Sequence, residues 1–384
     1  MIAAAEPLHR SPSAKLLVID SCGKIQHAPR AALAAFLRRG DLVIANDAAT
    51  LPASLHGVHL PTGAAIEVRL AGVASLGAAD IGRFTAVVFG AGDFRTRTED
   101  RPLPPPLAPG DRLELGPLRA TVERPAGDRV RQGGQSNGRE AGRFEPPGHP
   151  RLVSLRFDGS PEAIWEGLAR HGRPIQYAHV SAPLALWDVW TPVAGRPLAF
   201  EAPSAGFALD WQLLAEMRAR GVAFATLTHA AGISSTGDAD LDRQLPLDEP
   251  YDIPAASARA VQETKARGGR ILAVGTTVVR ALEHAASRDG QVRAGRGVAT
   301  QRIGPVTRLR VADAILSGTH PPDTSHYQLL RAFTDDVTLR RADRELEARG
   351  YRTHEFGDSV LIEKHAPPAG CPRPRLPLPR HAAG

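Results

Sequence analysis

Hydrophobic residues fall along this chain in two rhythms, and the change between them divides it. Residues 15–20, KLLVID, form a short apolar run closed by Ser21, Cys22 and Gly23. Such a run bounded by turn residues predicts a strand, here one that doubles back through Ile25. Residues 30–39 carry helical spacing and stop at Gly40, and residues 41–45 form a buried strand that delivers Asn46 and Asp47 to a turn. From about residue 56 to 123 the rhythm shortens to the apolar runs 65–70, 84–89, 112–115 and 119–122, separated by glycine and proline. Closely spaced strands without long helices predict a small β-barrel.

The longer rhythm returns at residues 152–157 and is followed by a helix over 161–171, where Ile164, Trp165 and Leu168 share one face. Helices over 210–220, 255–267 and 278–287 alternate with strands over 222–227 and 270–274, and the apolar segment 311–316 precedes a helix over 327–333. Alternation of this kind predicts an α/β fold with a mixed or parallel sheet and functional loops at the strand ends. The expected organisation is a main domain of residues 13–55 and 151–365 with the barrel, 56–123, inserted into it. Residues 124–150 lack periodicity and are expected to form a mobile loop; 366–384, rich in proline and arginine, are expected to be a disordered tail.

Composition changes this picture little. Of 384 residues, 42% are hydrophobic and 23% charged, as in ordinary globular proteins. The formal net charge of +6 suits a polyanion such as RNA, but an arginine-rich, lysine-poor composition gives the same balance without one. Cys22 and Cys371 have no cysteine or histidine neighbours in ligand spacing, so no metal site is expected. Neither a secretory leader nor a long uninterrupted apolar stretch is visible, so a cytoplasmic protein without membrane contact is expected.

Four short segments offer chemistry. In GGRILAVGTTVVRALE, residues 268–283, a buried strand runs through Gly275, Thr276 and Thr277 into a helix bearing Arg280. Free N–H groups at such a helix start hold a carboxylate or phosphate, although Thr276 or Thr277 could simply cap the helix. Glu283, three residues after Arg280, could pair with it on the helix surface. The small residues Ala202, Pro203, Ser204, Ala205 and Gly206 would let a planar ligand approach the backbone, or form a plain turn. His229 closes a strand, where an imidazole serves as acid, base or structural residue. His320 begins HPPDTS, which ends in Thr324 and Ser325; His320 and His326 are not in helical metal-ligand register.

In this order, these segments resemble the S-adenosylmethionine:tRNA ribosyltransferase-isomerase family of queuosine biosynthesis. The resemblance rests on SAKLLVID (13–20), GDLVIAND (40–47), TGAAIEV (62–68), APSAG (202–206), TLTH (226–229), GGRILAVGTTVVRALE (268–283), HPPDTS (320–325) and FGDSVL (356–361). It implies S-adenosylmethionine used as a ribosyl donor, with no metal required, and tRNA as partner of a monomeric enzyme. The sulfonium acidifies the adjacent ribose carbon, and the aminomethyl group of a 7-deazaguanine in the anticodon region captures the sugar. Adenine and methionine depart, and the ribosyl unit becomes the epoxycyclopentane of epoxyqueuosine.

By position, the resemblance assigns Pro203, Ser204, Ala205, Gly206, Gly275, Thr276, Thr277, Arg280, Thr324 and Ser325 to substrate binding. It adds Asn46, Asp47, Glu67 and Asp358, and gives catalytic roles to His229, His320 and Glu249. The chain departs from the family pattern at Ala208, Gln244 and Leu247, where histidines are usual, and at Ala49 and Ser54, where the family has a basic residue. Those departures leave two other readings: a divergent paralogue that uses S-adenosylmethionine with another acceptor, and a non-catalytic S-adenosylmethionine- or RNA-binding module.

Overall fold

The computed structural model describes residues 1–9, 11, 13–77, 81–123, 149–322 and 324–365. The loop expected at 124–150 falls outside the described residues except for its last two, and the tail expected at 366–384 falls outside them entirely.

Four strands, Ala223–His229, Leu42–Asn46, Ile271–Val274 and Ala314–Gly318, lie side by side in that order, each parallel to the next. Their carboxyl ends therefore share one edge of the sheet, the usual ligand edge of an open α/β sheet. Glu249–Ile253 and Gly295–Ala299 extend one flank, and Ser359–Glu363, Lys15–Ile19 and Ile25–Pro29 the other, making a nine-stranded mixed sheet. The hairpin expected after residue 20 is present; Glu249–Ile253 and Gly295–Ala299, which contain proline or paired glycines, carry no strand pattern in the sequence.

Side chains alternate between the faces of a strand, and here both faces are buried. Leu42 and Ile44 pack with Leu17, Ile19, Ile271 and Ala273 on one side, whereas Val43 and Ala45 pack with Leu16, Val18, Leu272 and Val274 on the other. The first face is covered by Ala255–Ala266, Thr276–Ala285 and Asp336–Ala348, the second by Trp211–Ala219 and the tight helix Arg30–Phe36. Arg30–Phe36 winds as a 3-10 helix in place of the longer helix expected over 30–39. Asp336–Ala348, capped by Asp335, lies in a charged stretch whose apolar Leu339, Ala342 and Leu346 are spaced for one face.

The barrel is present and closed, but its boundary differs from the expected one. Its strands are Ser54–His59, Ala64–Gly72, Arg83–Phe89, Arg112–Leu115, Leu118–Glu123 and Leu152–Phe157. The last, placed by its sequence pattern in the main domain, pairs with Arg83–Phe89 and Leu118–Glu123 and supplies the hydrogen bonds that closure demands. Pro161–His171, capped by Ser160 with proline in its first turn, packs Ile164 and Leu168 into the barrel core. Among the described residues no helix is long and apolar enough to cross a membrane.

Candidate functional site

At the carboxyl edge of the four parallel strands lies a cavity of about 400 Å³, within the range that holds small-molecule substrates. Ten of the residues assigned from sequence line it: Pro203, Ser204, Ala205, Glu249, Gly275, Thr276, Thr277, Arg280, His320 and Ser325.

Gly275 opens the site. Its φ of 94° is a conformation that an L side chain adopts only under strain, and a Cβ there would stand 3.4 Å from that of Ala205. Gly275, not a threonine, occupies the cap of Thr276–Ala285, and no side chain caps it. The two threonines thus stand in the first turn, where backbone N–H groups lack intrahelical acceptors. Behind them, Asn46 splints the edge: its Nδ2 donates to the His229 carbonyl at 2.9 Å and to Thr277 Oγ1 at 3.4 Å, and its Oδ1 accepts from His229 N at 2.9 Å.

Arg280 and Glu283 do not pair. Both are buried and each is engaged elsewhere: Arg280 Nη1 donates to Glu249, while Glu283 accepts the backbone N–H groups of Arg310, Val311 and Ala312. Burial rewards full hydrogen bonding more than an exposed ion pair, which explains the choice. Glu249 also accepts from Gly232 N at 2.6 Å. Burial pushes its carboxyl upward against the pull of Arg280.

His229 is fully buried, with its Nε2 3.5 Å from Glu249 Oε2. Burial, and next the Arg280 charge, hold its imidazole well below the usual histidine range, so the contact joins a neutral ring to a carboxylate and is not an ion pair. Its two ring nitrogens have no hydrogen-bond partner among the described residues. It stands off the cavity wall, behind Glu249. His320 stacks on His326 with ring centroids 4.4 Å apart, and burial with the neighbouring His326 and His354 keeps it neutral at physiological pH.

The remaining assigned residues stand off the wall. Gly206 is buried one residue beyond it, against Thr191. Asp47 accepts from Thr228 Oγ1 at 2.7 Å, and Thr324 caps Ser325–Leu330 through Tyr327 N. Asp358 braces two backbones by accepting from Lys15 N and Arg352 N. Glu67 lies within the barrel, where it accepts from Ser54 Oγ at 2.8 Å, Arg69 Nε at 2.8 Å and Arg101.

Sequence reading gave no site role to Glu201, Ser234, Arg302 or His326, all on the cavity wall. Glu201 immediately precedes the small-residue turn, the one available signal. Burial pushes its carboxyl up to about 7, against hydrogen bonds from Tyr177 and Ser234. The positions where histidine was expected are filled: Leu247 is buried beside Phe89 and Leu152, Gln244 bonds to the Asp240 carbonyl, and Ala208 packs against the second face of the sheet.

Residues 1–362 match the family described as queuosine biosynthesis protein. Among relatives, an S-adenosylmethionine:tRNA ribosyltransferase-isomerase of Sorangium cellulosum is 34% identical over 94% of this chain and 94% of its own length. One of the same name from Synechococcus elongatus is 32% identical over 91% of this chain and 89% of its own. A solved structure of S-adenosylmethionine tRNA ribosyltransferase from Thermotoga maritima is 23% identical, covering 94% of this chain and 96% of that one, with a TM-score of 0.47.

Proposed function

The chain belongs to the queuosine biosynthesis protein family, and on that premise we propose that it transfers and isomerises the ribosyl moiety of S-adenosylmethionine onto 7-aminomethyl-7-deazaguanine in tRNA, releasing adenine and methionine. The observation that carries the proposal is the convergence of residues 202–205, residues 275–277, His320 and Ser325 on one cavity. Nothing in their separation along the sequence requires it.

The first turn of Thr276–Ala285 offers N–H groups and the positive end of a dipole to the methionine carboxylate. Pro203, Ser204 and Ala205 leave room for a flat purine at the backbone. Neutral His320, beside His326, accepts the proton released next to the sulfonium. Glu201, whose carboxyl burial pushes up to about 7, gives its own proton to the leaving adenine. Glu249, held by Arg280 and Gly232, orients the wall, and His229 supports it from behind. The positive net charge draws in the tRNA anticodon region, and we place the enzyme in the cytoplasm as a monomer. The relatives' names lend no support to a different acceptor or to a non-catalytic module.

Incubating the full chain with S-adenosylmethionine and tRNA bearing the aminomethyl-deazaguanine should release one adenine per ribosyl unit gained by the tRNA. Adenine release without that tRNA, or none with it, overturns the proposal.

A further inference from the structure

Outside the adenosyl cavity, the turn before the last strand meets the segment that follows the helix Pro161–His171. There His179, His354 and Glu355 bring one ligand atom each within 4.8 Å of one another. His179 Nε2 stands 3.0 Å from Glu355 Oε2, and the two imidazole rings stack with centroids 4.3 Å apart at 22°. We propose that these three side chains form a binding site for a divalent transition-metal ion.

The separations fit such an ion. Donors bound tetrahedrally at about 2.0–2.1 Å lie about 3.3 Å apart. The His179–Glu355 pair already has nearly that spacing, and the third donor lies within 4.8 Å of both. Two imidazole nitrogens with one carboxylate oxygen form a borderline donor set, suited to Zn²⁺, Co²⁺ or Fe²⁺ more than to Mg²⁺ or Ca²⁺. Three protein ligands leave a further coordination position open.

The backbone at this place is held against its preference. His354 has a φ of 69°, the one positive value outside glycine among the described residues, a conformation that an L residue adopts only under strain. Its surroundings impose it. His354 N donates to the Thr319 carbonyl, Gly357 N donates to the His354 carbonyl, and Asp358 Oδ2 receives Arg352 N at 2.8 Å. A Cβ on Gly357 would fall 2.4 Å from the Arg352 carbonyl oxygen, so the turn has little freedom to relax. It presents His354 and Glu355 as consecutive side chains to His179, which is 175 residues away from His354 by the difference of their numbers. No sequence spacing announces such a site.

The site adjoins the adenosyl cavity without being part of it. His179 and Glu355 line a small hollow that also touches Glu201 and Ala202, and these two face the larger cavity. An ion here would tie the 353–357 turn to the 175–180 segment directly behind Glu201.

The full chain, stripped with a chelator and dialysed, should be titrated with Co²⁺ by visible absorption and with Zn²⁺ by calorimetry. One equivalent of each is expected to bind, with ligand-field bands for Co²⁺ and a raised melting temperature with Zn²⁺. Glu355→Gln and His354→Gly should each weaken binding at least about tenfold. His354→Gly also relieves the positive φ, so it should fold at least as stably as the metal-free parent and remain a fair test. Exposed His56, changed to Ala, should bind as the parent does. Absence of stoichiometric binding by the parent overturns the site. So does undiminished binding by His354→Gly and Glu355→Gln, which would place the ion elsewhere on the chain.

Discussion

Glu67 is 2% exposed and carries two guanidinium groups, those of Arg69 and Arg101. Burial alone would raise its carboxyl; the arginines outweigh it and hold the group at about 2, below its ordinary 4.5. Because the folded pKa is depressed, the stabilisation is complete above about 4.5 and drains as the pH falls toward about 2. Removing one partner of such a cluster leaves buried cations unpaired, so Glu67→Gln should cost about 3–5 kcal/mol at pH 7, measured by denaturant unfolding. The substitution should also flatten the acid limb of the parent's stability profile between those two pH values. Equal stabilities at pH 7 would mean that the cluster is already compensated by solvent. Glu201 is displaced the opposite way, to about 7, by burial. Its folded state holds a proton that the unfolded chain gives up, so its contribution weakens as the pH rises from 4.5 through 7. Glu201→Gln should remove this loss, so the variant should gain on the parent between pH 5 and 8 in thermal melts. Neither glutamate's state is legible in the sequence, because residues distant along the chain set the burial of each.

The strand-to-helix turn at Gly275 is the element on which the site depends. The apolar run 271–274, the glycine and the following helical spacing were readable, since each is a local pattern. The identity of the cap was not, because it depends on a φ of 94° that the sequence does not state. Gly275→Ala should cost about 1–3 kcal/mol in strain and tilt the first helical turn. The folded fraction should then show a raised KM for S-adenosylmethionine. A variant with the parent's KM would indicate that the N–H groups of this turn do not touch substrate. Arg280 and Glu283 carry the same lesson: their spacing was correct for a surface pair, but both are buried, and burial gave each another partner.

For the whole molecule, α/β alternation and short-strand clustering disclosed a main sheet and a barrel. The sequence could not show that Leu152–Phe157 crosses from one to the other, because strand partners are chosen by edge closure and not by strand composition. Strand order then sets function. The parallel strands Ile271–Val274 and Ala314–Gly318 carry residues 275–277 and His320 to one cavity, which residues 202–205 also line, leaving Glu67 in the barrel and Asp358 at a strand junction. The most direct test fills that cavity. Ala205 faces Gly275 across the wall, and Ala205→Trp should occupy the space of the purine without removing any charged group. Calorimetric titration with S-adenosylmethionine should show binding to the parent and at least a hundredfold loss in the variant, about 2.7 kcal/mol. A folded Ala205→Trp protein that binds S-adenosylmethionine as tightly as the parent would contradict the placement of the substrate at this edge of the sheet.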